Sequence, residues 1–164
     1  MAALTKLESK LAEVLGLAMA AQDAVQQVRG MLGREHEALD KRLAQAREEA
    51  RETQKRCTAV AGTFKGKKTA IVEQARDTKQ EAAEMREAYL GAEDDPLDGF
   101  EFLTMAEAGE VGHWSIVAKL NERAGHADLR TLTEWALPIQ QRHLQEALDG
   151  SLKLAAEEDP DEET

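Results

Sequence analysis

Two short patterns carry the chemistry that this chain could do. Glu110-x-x-His113 and Gln140-x-x-His143 repeat one spacing, an oxygen donor followed three residues later by an imidazole. On a helix that step keeps both side chains on one face. Carboxylates and imidazoles converging from facing helices are the donors that hold divalent ions in helical bundles. Glu35-His36 is a third, weaker element, with His36 on an apolar stripe between Leu32 and Leu39. A lone histidine in that setting is more often a satisfied core residue than a ligand. The candidate metal ligands are therefore Glu110, His113, Gln140 and His143, with His36 and Glu35 behind them. Glutamine is neutral and binds weakly, so such a set suits one loosely held divalent ion such as zinc better than a pair.

These residues need two facing helices. Residues 97–148 read as a helical hairpin that turns at Gly125-His126-Ala127-Asp128. Leu103, Ala106, Val117 and Leu120 give the first helix an apolar stripe, and Leu129, Leu132, Ala136 and Ile139 do so for the second. Gly125 is a natural stop and Asp128 a natural cap, while Pro138 should kink the second helix. Folding about the turn sets Glu110 level with His143 and His113 level with Gln140. A buried unpaired glutamate costs several kcal/mol. Glu110 therefore needs a metal, a protonated His143, or a rotation toward water.

The remaining elements follow the same periodicity. Leu4, Leu7, Leu11, Val14, Ala18, Ala21, Val25 and Val28 mark a helix over residues 4–29. Gly30 and Gly33 favour a turn, with one helix across residues 4–60 as the alternative. A second helix covers Arg34–Val60, and a polar third helix over about 68–90 covers one side of the bundle. Between them, Ala61–Thr69 is a lysine-bearing loop whose glycine spacing is one short of a phosphate-binding loop. Pro96 and two glycines break the chain within Gly91–Gly99. The expected fold is all-α: an antiparallel four-helix bundle with an additional helix, one domain over residues 1–152, and a disordered acidic tail over 153–164.

Composition narrows the functions. The net charge of -11 opposes phosphate backbones, which argues against nucleic acid as a partner. No apolar run approaches the ~20 residues that cross a bilayer, so no membrane contact is expected. Cys57 is the only cysteine and reads as a small core residue. That usage, with no apolar leader in the first turns, suits the cytoplasm. Six aromatics leave the core to Leu, Val and Ala. Trp114 and Trp135 read as core anchors or interface residues, with the core favoured. Ala-rich stripes, with any tryptophan left at the surface, would favour a homodimer.

Several short matches carry a family resemblance: Gly66-Lys-Lys before a helix, Asp95-Pro96 opening the next, Val111-Gly-His-Trp-Ser-Ile116, the Gly125-His126 turn, and Gln140-Gln-Arg-His-Leu144. Residues of about 66–150, and more loosely the N-terminal hairpin, resemble the bacterial stress-associated ferritin-like proteins of the domain-of-unknown-function type. The resemblance implies a ferritin-like fold and an iron or manganese centre. The ligand set departs from that family's pattern. Gly112 and Ser115 stand where glutamates usually flank the histidine, and Gln140 and Gln141 stand in place of an acidic pair. Glu35 matches an acidic position, but Leu39 replaces a histidine. The expected function is a stress-related binding or structural protein with a degenerate metal centre. The alternatives are a working iron or manganese protein, doing oxidase, peroxide-scavenging or storage chemistry, and a metal-free helical interaction module. No serine or cysteine arrangement points to another catalytic chemistry.

Overall fold

The computed structural model describes residues 2–163. Its regular structure is helical, with no strand among the described residues. The helices are α1 Lys6–Arg29, α2 Glu37–Ala61, α3 Lys68–Leu90, α4 Pro96–Ala124 and α5 Ala127–Ala155. A 3₁₀ turn at Arg34–His36 leads into α2, so residues 4–60 form two helices.

Local chemistry sets these boundaries. At α1 the Thr5 hydroxyl accepts from the Glu8 N–H, and the Glu8 carboxylate accepts from the Thr5 N–H at 2.7 Å. This capping box satisfies two otherwise orphaned donors. Asp95 accepts from the Leu97 N–H at 2.8 Å, with Pro96 in the first helical turn, where a missing N–H costs nothing. Gly125 ends α4 at φ +67°, a left-handed conformation that favours glycine.

Two expectations change. The cap of α5 is His126, not Asp128. Its Nδ1 accepts from the Leu129 N–H, and its ring stacks on Phe64 with centroids 4.3 Å apart. That stack pins the α4–α5 turn to the loop after α2. Second, α5, which includes Pro138, runs past residue 152, with Leu154 buried, so Lys153–Ala155 belong to the helix and not to the acidic tail.

Inter-helix contacts fix the directions. Arg29–Asp40 and Gln22–Gln54 set α1 antiparallel to α2. Thr104–Ser151 and the Asn121–His126 bonds do so for α4 and α5. Glu13–His113, together with the approach of Gly99 to Val28, sets α1 antiparallel to α4. Glu49–His143 and the Arg56 guanidinium over Trp135 do the same for α2 and α5. These four helices enclose the main seam. α3 packs outside them, parallel to α1: Ser9 meets Gln74 and Asp23 meets Lys79. Gly16 permits that closeness, because a Cβ there would lie 2.4 Å from the Ala75 carbonyl oxygen.

Two apolar clusters fill the seam. One gathers Leu11, Val14, Leu15, Ile71, Trp114, Val117 and Leu129. The other gathers Val25, Val28, Leu39, Phe100, Leu103 and Ala147. Burial of each large aliphatic side chain contributes about 1.5–3 kcal/mol. On α4 and α5 the interval between the clusters holds Glu107, Glu110, Gln140 and His143, all buried.

Candidate functional site: a carboxylate, amide and imidazole cluster

On α4, Leu103, Glu107, Glu110, Trp114 and Val117 alternate steps of four and three, the spacing of a helix–helix seam. The two carboxylates sit in the middle of that stripe. Facing them on α5, Gln140 and His143 fall between Ala136 and Ala147. Glu49 enters from α2, at the edge of the stripe made by Ala46, Ala50, Thr53 and Cys57.

The Gln140 Nε2 donates to Glu110 Oε2 at 2.9 Å and to Glu107 Oε2 at 3.1 Å. With a carboxylate on either side, the amide presents its NH₂ and not its oxygen. His143 Nε2 lies 2.9 Å from Glu49 Oε2, and its Nδ1 lies 3.8 Å from Glu107 Oε2. An ionised Glu49 only accepts, so Nε2 carries the hydrogen. Arg142 pairs with the same Glu49 oxygen, and Gln45 donates to the other at 2.7 Å.

The electrostatics separate the three carboxylates. Burial pushes Glu107 well above the usual carboxylate range, and the charge of Glu110 pushes it further. Burial alone raises Glu110 to about 7. Two carboxylates bridged by one neutral amide cannot both ionise cheaply, so the pair retains a proton near neutrality. Glu49 behaves oppositely. Burial pushes it up, but the bonds from Gln45 and His143 and the charges around it hold it below its ordinary value. Burial lowers His143 against the pull of Glu49, which keeps the imidazole neutral. Burial, and then the charge of Glu110, raises the Cys57 thiol, so this cysteine is a core residue and no nucleophile.

The six residues singled out in the sequence do not meet. Glu110, Gln140 and His143 do, in a register displaced by three residues: Glu110 faces Gln140, and Glu107 faces His143. His113 lies on the flank of α4, with 38% of its side chain exposed, its Nδ1 3.0 Å from Glu13 of α1. The seam is centred on Glu107 and Glu110, and a further step of three turns His113 out of it. His36 and Glu35 sit in the α1–α2 turn, where His36 Nε2 meets Glu157 at 2.8 Å. Thirteen residues of helix, about 20 Å, separate that turn from Glu49.

Glu107 and Glu49 are the members that the sequence reading missed. The unbroken four-and-three rhythm from Leu103 to Val117 carries a signal for Glu107. Glu49 gives none, because it flanks its stripe and sits among other surface charges.

As arranged, these donors do not make a ligand cage. Among the described residues no group of three or more His, Cys, Asp or Glu side chains is placed to hold a metal ion. The Gln140 N–H groups stand between Glu107 and Glu110, where a bridging cation would have to lie, and His143 Nε2 is committed to Glu49. What the cluster can do is hold a proton on a buried carboxylate pair and tie α5 to α4 through Gln140 and to α2 through His143.

Beside the cluster, a groove of about 210 Å³ opens between α1, α3 and α4, with Glu107 and Glu110 among its lining residues. No helix among the described residues is long and apolar enough to cross a membrane. Compared with protein-family models, with curated proteins and with solved structures, the chain matches none.

Proposed function

We propose that this chain is a ferritin-like helical bundle whose metal centre has become a hydrogen-bonded carboxylate–amide–imidazole cluster, and that it is a binding or structural protein rather than an oxidase. The observation that carries this reading is the double donation from Gln140 to Glu107 and Glu110. A ferritin-like bundle has one long crossover and places Glu-x-x-His patterns on facing helices. The directions of α1, α2, α4 and α5, with α3 as the crossover between the middle two, support that fold. Gln140-x-x-His143 keeps the spacing and loses the charge, and α1 brings only small and aliphatic residues to this level of the seam. A stress-related role in the cytoplasm belongs to the same proposal.

A second reading is a working iron, manganese or zinc site. It gains from the presence of three carboxylates, Glu49, Glu107 and Glu110, beside His143, and needs Gln140 to turn its oxygen inward. Elemental analysis of protein purified without chelators separates the two. Metal well below one ion per chain supports the first reading, and two tightly held ions per chain support the second. A third reading, a metal-free interaction module or homodimer, gains from the exposed Met85, Met105 and Ile116.

A further inference from the structure

The cluster is not sealed on every side. The groove between α1, α3 and α4 reaches Glu107 and Glu110 between small, apolar walls: Leu17, Ala21 and Ala24 of α1, Ala82 of α3, and Ala106 and Gly109 of α4. A Cβ at Gly109 would meet nothing within 4 Å. Glycine within a helix costs about 1 kcal/mol against alanine, and here no close neighbour demands it. Its effect is to leave the wall open. Met85 and Met105, both exposed, flank the mouth and offer adaptable apolar surface.

The inner end has the opposite chemistry. Glu107 and Glu110 are each 5% exposed and line the groove. Gln140 reaches only Oε2 of each, so Oε1 of each has no side-chain donor among the described residues. Two largely buried carboxyl groups, each with one oxygen that takes no side-chain donor, end an apolar channel. An apolar pocket with a few convergent polar groups is the common form of a small-molecule site.

We propose that this groove binds a small organic cation, an ammonium group on an apolar body about the size of one aromatic ring, with the ammonium seated against Glu107 and Glu110. An apolar cavity of about 150 Å³ accepts benzene, so about 210 Å³ admits a ring and a short arm. An ammonium offers three donors, enough to reach the free oxygen of both carboxylates. Its charge is opposite to that of a carboxylate, and in a low-dielectric channel that attraction is strong. An anion of the same shape would face two acids at the inner end. Of the basic groups that line the groove, Lys79 pairs with Asp23 at 3.2 Å, His113 pairs with Glu13 at 3.0 Å, and Arg86 is the third. The proposal rests on the metal-free reading of the seam, because a bound metal would occupy the same oxygens.

The test is calorimetric titration of the full chain, its metal content measured beforehand, with phenethylammonium as the probe. Phenethyl alcohol and hydrocinnamate are the matched neutral and anionic controls. The expected result is one saturable site for the ammonium, binding by the alcohol about tenfold weaker or worse, and no binding of hydrocinnamate. Glu110→Gln keeps an acceptor for Gln140 and should weaken the ammonium about tenfold while leaving the alcohol unchanged. Gly109→Leu fills the groove from its open wall and should abolish binding of both, with an undiminished melting temperature showing that the fold is intact. Equal affinity for alcohol and ammonium, tighter binding of hydrocinnamate, or no saturable site in metal-poor protein would overturn the proposal. Two metals per chain in the starting protein would instead overturn the reading of the seam on which it rests.

Discussion

His143 gives its Nε2 to Glu49 of α2, 2.9 Å away, and not to Glu110 on the neighbouring helix of its own hairpin. That bond joins two helices 94 residues apart in sequence and draws Arg142 onto the same carboxylate. Replacing Glu49 by Ala leaves the buried His143 N–H without its acceptor and the half-buried Arg142 guanidinium with Glu146 alone, at 3.6 Å. The expected loss is about 1–3 kcal/mol, read from urea denaturation at neutral pH. Glu49→Gln should lose less, since its side-chain oxygen can still accept from His143.

The buried pair gives stability an unusual pH dependence. Burial lifts Glu110 to about 7 in the folded chain, and unfolding returns it to the ordinary carboxyl value of 4.5. The folded state therefore holds the extra proton across that interval, and stability falls as pH rises from about 4.5 to about 7. Glu107 acts in the same direction. His143, pushed below 6.5 by burial, acts oppositely: below that pH the unfolded chain takes up a proton that the folded one resists, so stability falls again in acid. Glu110→Gln should raise stability at about pH 8 by on the order of a few kcal/mol and flatten the alkaline slope. Denaturant titrations at about pH 5 and about pH 8 check this. A variant less stable than the parent at the higher pH would show that Glu110 is held ionised at no cost.

The glycines divide by what surrounds them. At Gly150 a Cβ would lie 2.3 Å from the buried Phe100 ring, and at Gly16 it would meet the α3 backbone. Alanine at either site should cost about 1–3 kcal/mol through overpacking. Gly112 has open space around its missing Cβ, so Gly112→Ala should stabilise by about 0.5–1 kcal/mol through helix propensity. Thermal melts of the three variants should show both signs.

Cys57 should be silent to thiol reagents in the native state. It is fully buried, and burial together with the nearby Glu110 charge favours the thiol over the thiolate. Labelling kinetics with an aromatic disulfide should show reaction only on unfolding, at the rate of global or sub-global opening.

Much of the fold was legible in the sequence because apolar residues at steps of three and four declare a helix and the face it buries. Pro96 and Gly125 then mark two of the helix ends. The hairpin of α4 and α5 and the break at Gly30–Gly33 were readable on those grounds. The site was legible only in part. Glu110, Gln140 and His143 stood out as polar residues on buried stripes. Their partners did not, because register depends on the geometry of the turn, and His126 rather than Asp128 caps α5. A shift of three residues exchanges the partner of every side chain in the seam. That shift brought Glu107 inward in place of His113. The contribution of Glu49 depends on how α2 sits against α5, which no local pattern records.

On the proposed reading, the Gln140 amide stands where a ferritin-like centre would hold metal between carboxylates. Elemental analysis of the parent protein beside Gln140→Glu, both purified without chelators and then offered manganese or zinc, tests it most directly. The expected result is metal well below one ion per chain in the parent and clear uptake in the variant, where an acid faces Glu107 and Glu110 again. Two tightly held ions per chain in the parent would contradict the claim.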